Sequence, residues 1–264
     1  MEKIALITGA TRGIGKALAE IFARHGYSLI LIARNAEELR QIQADLQTRF
    51  QCQSRILSAD LAKADSITLI METFRDEMNQ VDVLINNAGF GFAKSFTDIS
   101  LEDTTAMLDV NVSALTRLSH AVLPYMQARR RGHVLNVAST AAYAPGPYMA
   151  VYYASKAYVL SFSEALYEEY KNAGVSISVL CPGVTRTSFQ ERAGMQDTLM
   201  VSGMLPVMTA EKVAQLAYKG MIKKQRLIIP GVMNKLLVLS MRLSPGWLSA
   251  KITGWLDKPK DISK

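Results

Sequence analysis

Six short runs rich in β-branched and aliphatic residues punctuate the chain: Ile4 to Thr8, Ser28 to Ala33, Ser54 to Ser58, Val81 to Asn86, Gly132 to Ala138 and Ser176 to Cys181. Between them lie longer amphipathic stretches, Ile14 to Arg24, Ala36 to Phe50, Lys63 to Met78, Leu101 to Arg130 and Val151 to Asn172. This alternation constrains the fold more than any other feature. Parallel strands need long crossovers and a helix supplies one, so the pattern predicts a parallel sheet with helices on both faces. Runs such as SLILIA and VDVLIN suit strands buried on both sides. No repeat or low-complexity linker breaks the pattern, and 264 residues with 49% apolar content can fill one large core. The expected fold is α/β: one doubly wound parallel sheet of about seven strands over residues 1–230. Residues 231–264 read as a basic, amphipathic, helical extension of that domain.

Charge and cysteine content exclude several functions. Of the formal charge of +7, residues 231–264 hold six Lys/Arg against two Asp, and the rest of the chain is nearly balanced. No recognition-helix or zinc pattern accompanies the excess, which argues against nucleic acid as a partner. Cys52 and Cys181 stand far apart, and His25, His120 and His133 lack ligand spacing, so neither a disulfide framework nor a metal site is expected. The N-terminus enters an apolar strand at once, without the features of an export signal, and reduced thiols fit a cytoplasmic protein. The apolar stretch Val232 to Leu243 is interrupted by Lys235 and Arg242 and is shorter than the ~20 residues of a membrane span.

The first strand runs into Thr8-Gly9-Ala10-Thr11-Arg12-Gly13-Ile14-Gly15, a G-x-x-x-G-x-G turn that opens a helix. Glycines there permit a tight turn and close backbone approach, so a pyrophosphate can sit against free N–H groups at the positive helix end, as in a Rossmann-type dinucleotide site. An NAD site commonly offers an acidic residue at the end of the second strand; this chain has Ala33-Arg34-Asn35. With that carboxylate gone, Arg34 and Arg12 can bond a 2′-phosphate, which favours NADP(H).

Downstream, VYYASKAY (151–158) places Tyr152 and Tyr153 three and four residues before Lys156. Positions three and four apart share a helix face, so helical spacing alone admits either tyrosine. An ammonium and an oxidised nicotinamide nearby would lower a phenol from its usual pKa of ~10 and fit it for acid–base work.

In order, the chain offers TGATRGIG, Asp60-Leu61, NNAG at 86–89, Asn111, Ser139, Tyr152-x-x-x-Lys156, Pro182-Gly183 and Thr187. This series, from Lys3 to about Pro230, resembles the short-chain dehydrogenase/reductase family. The resemblance implies oxidoreduction of a carbonyl/alcohol substrate with NADP(H). It selects Tyr152 as acid/base, gives Ser139 the substrate oxygen, Lys156 the nicotinamide ribose, and Asn111 a water in a proton relay. It implies cofactor contacts from Gly9, Thr11, Arg12, Gly13, Ile14 and Gly15 in the turn and from Arg34, Asp60 and Leu61 after the next strands. Asn87, Ala88, Gly89, Tyr152, Lys156, Pro182, Gly183, Thr185 and Thr187 complete that set. Thr185 stands where many members have Val or Ile, and Ala138 replaces a frequent serine. A non-catalytic nucleotide-binding protein would be expected to lose the Tyr, Ser or Lys, all of which are present. Homodimers or homotetramers are common in the family.

Two segments lie outside this pattern. The stretch after the sixth strand, a flap over substrate in such proteins, contains Phe189, Met195, Leu199, Met200, Val201, Met204, Leu205 and Met208, and the NNAG loop adds Phe90 and Phe92. Thioethers and aromatics favour a lipophilic carbonyl substrate over a sugar. In the extension, Leu248, Ile252, Trp255 and Leu256 recur at helical spacing among lysines. Packing of that face on its own domain or a twin subunit is the favoured reading, ahead of a lipid interface. Arg129-Arg130-Arg131 reads as a solvated helix end.

Overall fold

The computed structural model describes residues 3–195, 198–199 and 207–258; Met200, Val201, Met204 and Leu205 lie outside them. The chain begins β1 (Ile4–Thr8), α1 (Gly13–Arg24), β2 (Ser28–Ala33), α2 (Ala36–Phe50), β3 (Ser54–Ser58) and α3 (Ser66–Thr73). Next come β4 (Val81–Asn86), α4 (Leu101–Leu108), a π-helical turn at Asp109–Ala114, α5 (Leu115–Ala128), β5 (Gly132–Val137), α6 (Ala150–Tyr170) and β6 (Val175–Leu180). It ends with β7 (Thr185–Arg186), α7 (Phe189–Ala193), β8 (Met208–Thr209), α8 (Ala210–Ile222), β9 (Leu227–Ile228), α9 (Val232–Leu243) and α10 (Gly246–Asp257).

Seven strands form one parallel sheet in the order β3-β2-β1-β4-β5-β6-β9, while β7 and β8 pair separately. Alternation along β1 feeds both layers: Ala5 and Ile7 join the core beneath α1, α2 and α8, and Ile4 and Leu6 join the core beneath α3 and α5. From β1 the chain builds outward one way through β2 and β3; from β4 it builds the other way. That reversal opens a crevice beyond the carboxyl ends of β1 and β4, where such sheets bind ligands.

Helix starts show which ends are closed. Asn35 accepts hydrogen bonds from the N–H groups of Glu37 and Glu38, Ser100 caps α4 and Thr209 caps α8. At α1 the side chain of Arg12 makes no such cap and the first turn carries no acid. The first amides of α1 are thus left for another acceptor.

Three elements differ from the sequence reading. The long helix expected from Leu101 to Arg130 is divided by the π turn, which carries the buried Asn111. The helix expected from Lys63 starts later, because the Asp60 carboxylate accepts from Ala62 N at 3.2 Å and turns the chain first. Nor is the arginine run merely solvated: Arg131 donates to buried Asp82 at 2.8 Å, and Arg129 donates to the Val81 carbonyl at 2.7 Å. The run therefore ties α5 to the start of β4.

The extension folds back over the crevice. Asn234 of α9 packs against Gly183, where a Cβ would come within 2.3 Å of its Oδ1. On α10, Thr253 donates to the Pro145 carbonyl and a Cβ at Gly254 would meet Pro147 at 3.0 Å. One face of each helix thus packs on the domain, but on α10 that face is Ser249, Thr253 and Leu256, whereas Ile252 and Trp255 of the face expected to pack are exposed.

Candidate active site

Of the site residues expected from sequence, all but Gly15 and Asn111 line one cavity of about 510 Å³ at the carboxyl end of the sheet. Gly9 and Gly13 have positive φ, and a Cβ on Gly15 would meet the Gly9 carbonyl at 2.2 Å, so the glycine turn can close only without side chains. Asn87 fastens this turn from the neighbouring strand: its Nδ2 donates to the carbonyls of Thr8 and Gly9, both at 3.0 Å. A narrow glycine turn, an uncapped helix end and a cavity running from Arg34 to Tyr152 fit a dinucleotide.

At the adenosine end of such a ligand the charges are more complex than the sequence suggested. Arg12 forms a bidentate ion pair with Glu38 of α2, its Nε donating at 3.0 Å. That bond holds the Glu38 carboxyl below its ordinary pKa and raises the Arg12 guanidinium. Arg34 lines the same end, joined by Arg192 from α7, whose pKa is lowered by burial and then by Arg12 and Arg34. Sequence reading missed Glu38 and Arg192. Glu38 lies one helical turn beyond the position inspected for an acid, and Arg192 comes from a segment without a fixed spacing to the motif.

At the other end, α6 presents Tyr152, Tyr153 and Lys156. Burial pushes the Tyr152 phenol up to about 12, with a smaller opposing effect from its hydrogen bond to Ser139 and a further raising effect from Asp257. The lowering expected from Lys156 is not found: its Nζ stands 5.7 Å from the Tyr152 ring centre and donates to the Val137 carbonyl at 2.9 Å. Burial also brings the Lys156 ammonium down to about 8. Ser139 Oγ donates to the Pro182 carbonyl at 3.4 Å and accepts from Ala141 N at 3.1 Å, which fixes the hydroxyl beside the phenol.

Asn111 is placed differently from a group facing the cavity. Its Nδ2 donates to Phe90 O at 2.9 Å and Ser155 Oγ at 3.0 Å, while its Oδ1 accepts from Phe90 N at 3.0 Å. Its amide braces the NNAG loop against α6, and Gly89 makes room, with Asn111 Oδ1 and Lys156 Nζ 3.1 and 3.3 Å from where its Cβ would be.

The remaining contacts fall on the flap. Thr187 N and Oγ1 both donate to Gln190 Oε1 at 3.3 Å, and Gln190 in turn donates to the Thr185 carbonyl. Gln190 was not foreseen. Phe189, Met195 and Phe90 line the cavity, with Phe189 5.3 Å from the Tyr152 ring. Phe92 stands behind Phe90, and Met208 packs against the core instead. Leu237 and Met241 of α9 and Leu256 of α10 complete the apolar wall.

Tyr153 is buried and donates to Asp257 Oδ2 at 2.6 Å, and the other carboxylate oxygen of Asp257 is buried without a partner among the described residues. Burial raises the Asp257 carboxyl from 3.8 to about 6. A carboxyl raised on folding stabilises the fold most when protonated, below about pH 4, and loses that contribution as pH climbs through 6. The change corresponds to about 3 kcal/mol. Asp257→Asn should therefore leave the melting temperature unchanged near pH 4 and raise it by several degrees at pH 8. A constant difference across that range, measured by thermal melts, would show that Asp257 is not the titrating group.

A model of the short chain dehydrogenase family matches residues 3–198. The chain belongs to the short-chain dehydrogenase family. It is an oxidoreductase by that membership, and the family acts on small molecules. A short-chain dehydrogenase from Sphingobium yanoikuyae, solved in complex with NADPH, is 31% identical with a TM-score of 0.82, the match covering 90% of this chain and 92% of that one. The bulky-bulky ketone specific alcohol dehydrogenase from Comamonas testosteroni is 28% identical with a TM-score of 0.77, covering 91% and 93%. The human inactive hydroxysteroid dehydrogenase-like protein 1 is 36% identical over 187 residues, covering 70% of this chain and 56% of that protein.

Proposed function

We propose that this protein reduces the carbonyl of a bulky lipophilic substrate to an alcohol with NADPH, or catalyses the reverse. The observation that carries this reading is one cavity with an uncapped glycine-turn helix and arginines at one end, a Tyr152–Ser139–Lys156 cluster at the other, and apolar walls between them. The NADPH complex of the Sphingobium relative supports the cofactor, and the Comamonas enzyme supports the substrate class.

NADPH supplies the hydride when bound. Ser139 holds the substrate oxygen by a hydrogen bond, and Tyr152 donates a proton to that oxygen as charge develops on it. A phenol raised to about 12 remains protonated at neutral pH, as a proton donor must. In the oxidation direction the same group must lose its proton, which Lys156 and a positive nicotinamide favour. Lys156 also orients the ribose. Asn111 acts as a positioning residue, holding the loop under the nicotinamide through Phe90. The working assembly is a homodimer or homotetramer.

NADPH consumption should be measured against bulky aromatic and aliphatic ketones, aldehydes, acyl thioesters and sugars. Turnover is expected with one of the first three classes and not with sugars. Turnover confined to sugars would overturn the substrate class. Tight NADPH binding without turnover on any carbonyl would instead place the chain beside its inactive human relative.

A further inference from the structure

Eight of the fifteen large apolar side chains that stand exposed among the described residues belong to α9 and α10. On α9, Val232, Leu236, Leu239 and Leu243 follow i, i+4, i+7, i+11 and form one outward stripe; Val232 and Leu243 are 72% and 78% exposed. The opposite side of the helix carries Asn234 and Val238, which are buried, and Leu237 and Met241, which line the cavity. Lys235 and Arg242, seven residues apart, share a flank of the stripe. On α10 the outward line reads Trp247, Lys251, Trp255, Lys258, again at helical spacing, with both tryptophans more than half exposed.

We infer that the outer face of α9 and α10 docks on an anionic membrane surface. Exposed apolar stripes of this kind mark an interaction site, and their charge decides the partner. Between residues 231 and 258 the cations are Lys235, Arg242, Lys251 and Lys258, and the one acid, Asp257, is buried against Tyr153. A second copy presenting the same face would set cations against cations. Anionic headgroups complement them, while leucines enter the acyl boundary and the tryptophans sit at headgroup level. Each helix has 12 residues, about 18 Å of rise, and no helix among the described residues is long and apolar enough to cross a membrane. The pair therefore lies in the interface plane. Because its inner faces line the catalytic cavity, the docked pair forms a wall between that cavity and the lipid.

The test is flotation of the full chain with phosphatidylcholine vesicles containing about a third phosphatidylglycerol, and with phosphatidylcholine alone. The protein should float with the first, much less with the second, and release as salt rises. Leu236→Glu/Leu243→Glu/Trp247→Glu should lower partitioning at least tenfold, with an unchanged melting temperature because these side chains are exposed. Lys235→Glu/Lys251→Glu should abolish the preference for anionic vesicles. Failure of the unaltered protein to float, or equal flotation of the triple variant, overturns the inference. A triple variant that instead changes only the sedimenting mass assigns the face to a second copy, and also overturns it. NADPH binding, which uses none of these side chains, should be unaffected throughout.

Discussion

Tyr152→Phe is expected to lower turnover by about 10²–10⁴-fold, the range over which a positioned acid contributes, while NADPH affinity changes only a few-fold. Removing the hydroxyl takes away the proton donor but little structural support. Ser139 retains its bonds to Pro182 and Ala141, so the fold should lose no more than about 1 kcal/mol. Tyr153→Phe makes the matched control. It should retain turnover and lose stability, because Asp257 would lose the partner it has at 2.6 Å. The pH dependence separates the two directions of reaction. Burial holds the Tyr152 phenol near 12, so reduction should be flat through neutral pH, whereas oxidation should rise with pH as the phenolate becomes accessible. Loss of turnover in Tyr153→Phe with activity kept in Tyr152→Phe would reverse the assignment. A reduction rate that falls between pH 6 and 8 would rule out a phenol held so high.

The sheet was legible because its information is local and redundant. The strands are rich in β-branched and aliphatic residues and the crossovers between them have a helical period, and in β1 and β2 successive residues alternate between the two cores. The Gly9–Gly15 turn was equally readable, since close backbone approach excludes side chains at fixed positions. Helical spacing could not choose between Tyr152 and Tyr153, because both lie within a turn of Lys156; what separates them in the structure is the partner each meets, Ser139 for one and Asp257 for the other. Asp257 lies 104 residues from Tyr153, and Glu38 lies 26 from Arg12. No local period announces contacts of that range. The π turn was hidden for a related reason, since its Asn111 bonds outward to Phe90 and Ser155 on other segments. Likewise, apolar spacing marked Leu248, Ile252, Trp255 and Leu256 as the packing line of α10, yet Ile252 and Trp255 are exposed and the small polar Ser249 and Thr253 are buried beside Leu256.

Cofactor choice turns on a competition that Ala33 and Arg34 alone do not reveal. Glu38 restores a carboxylate near the ribose end, yet Arg12 spans it as an ion pair whose side chains are 51% and 22% exposed. An exposed pair of this kind is worth at most about 1 kcal/mol. Charge-assisted bonds to a doubly charged phosphate are stronger, about 1.5–3 kcal/mol each, so a 2′-phosphate should draw Arg12 from Glu38. Arg34→Ala should therefore weaken NADPH binding by about 10–100-fold and leave NADH nearly unchanged. Glu38→Gln should act in the opposite direction, tightening NADPH a few-fold by freeing Arg12. Arg12→Ala should weaken NADPH while relieving NADH of nothing, because the unpaired Glu38 then faces the ribose and can accept from its hydroxyls. Titrating each variant with both nucleotides at two salt concentrations supplies the check: the NADPH effects should shrink as salt rises and the NADH affinities should not. Equal affinities for the two nucleotides in the unaltered protein, with no loss on Arg34→Ala, would show that the arginines serve only to pair and solubilise this edge of the cavity.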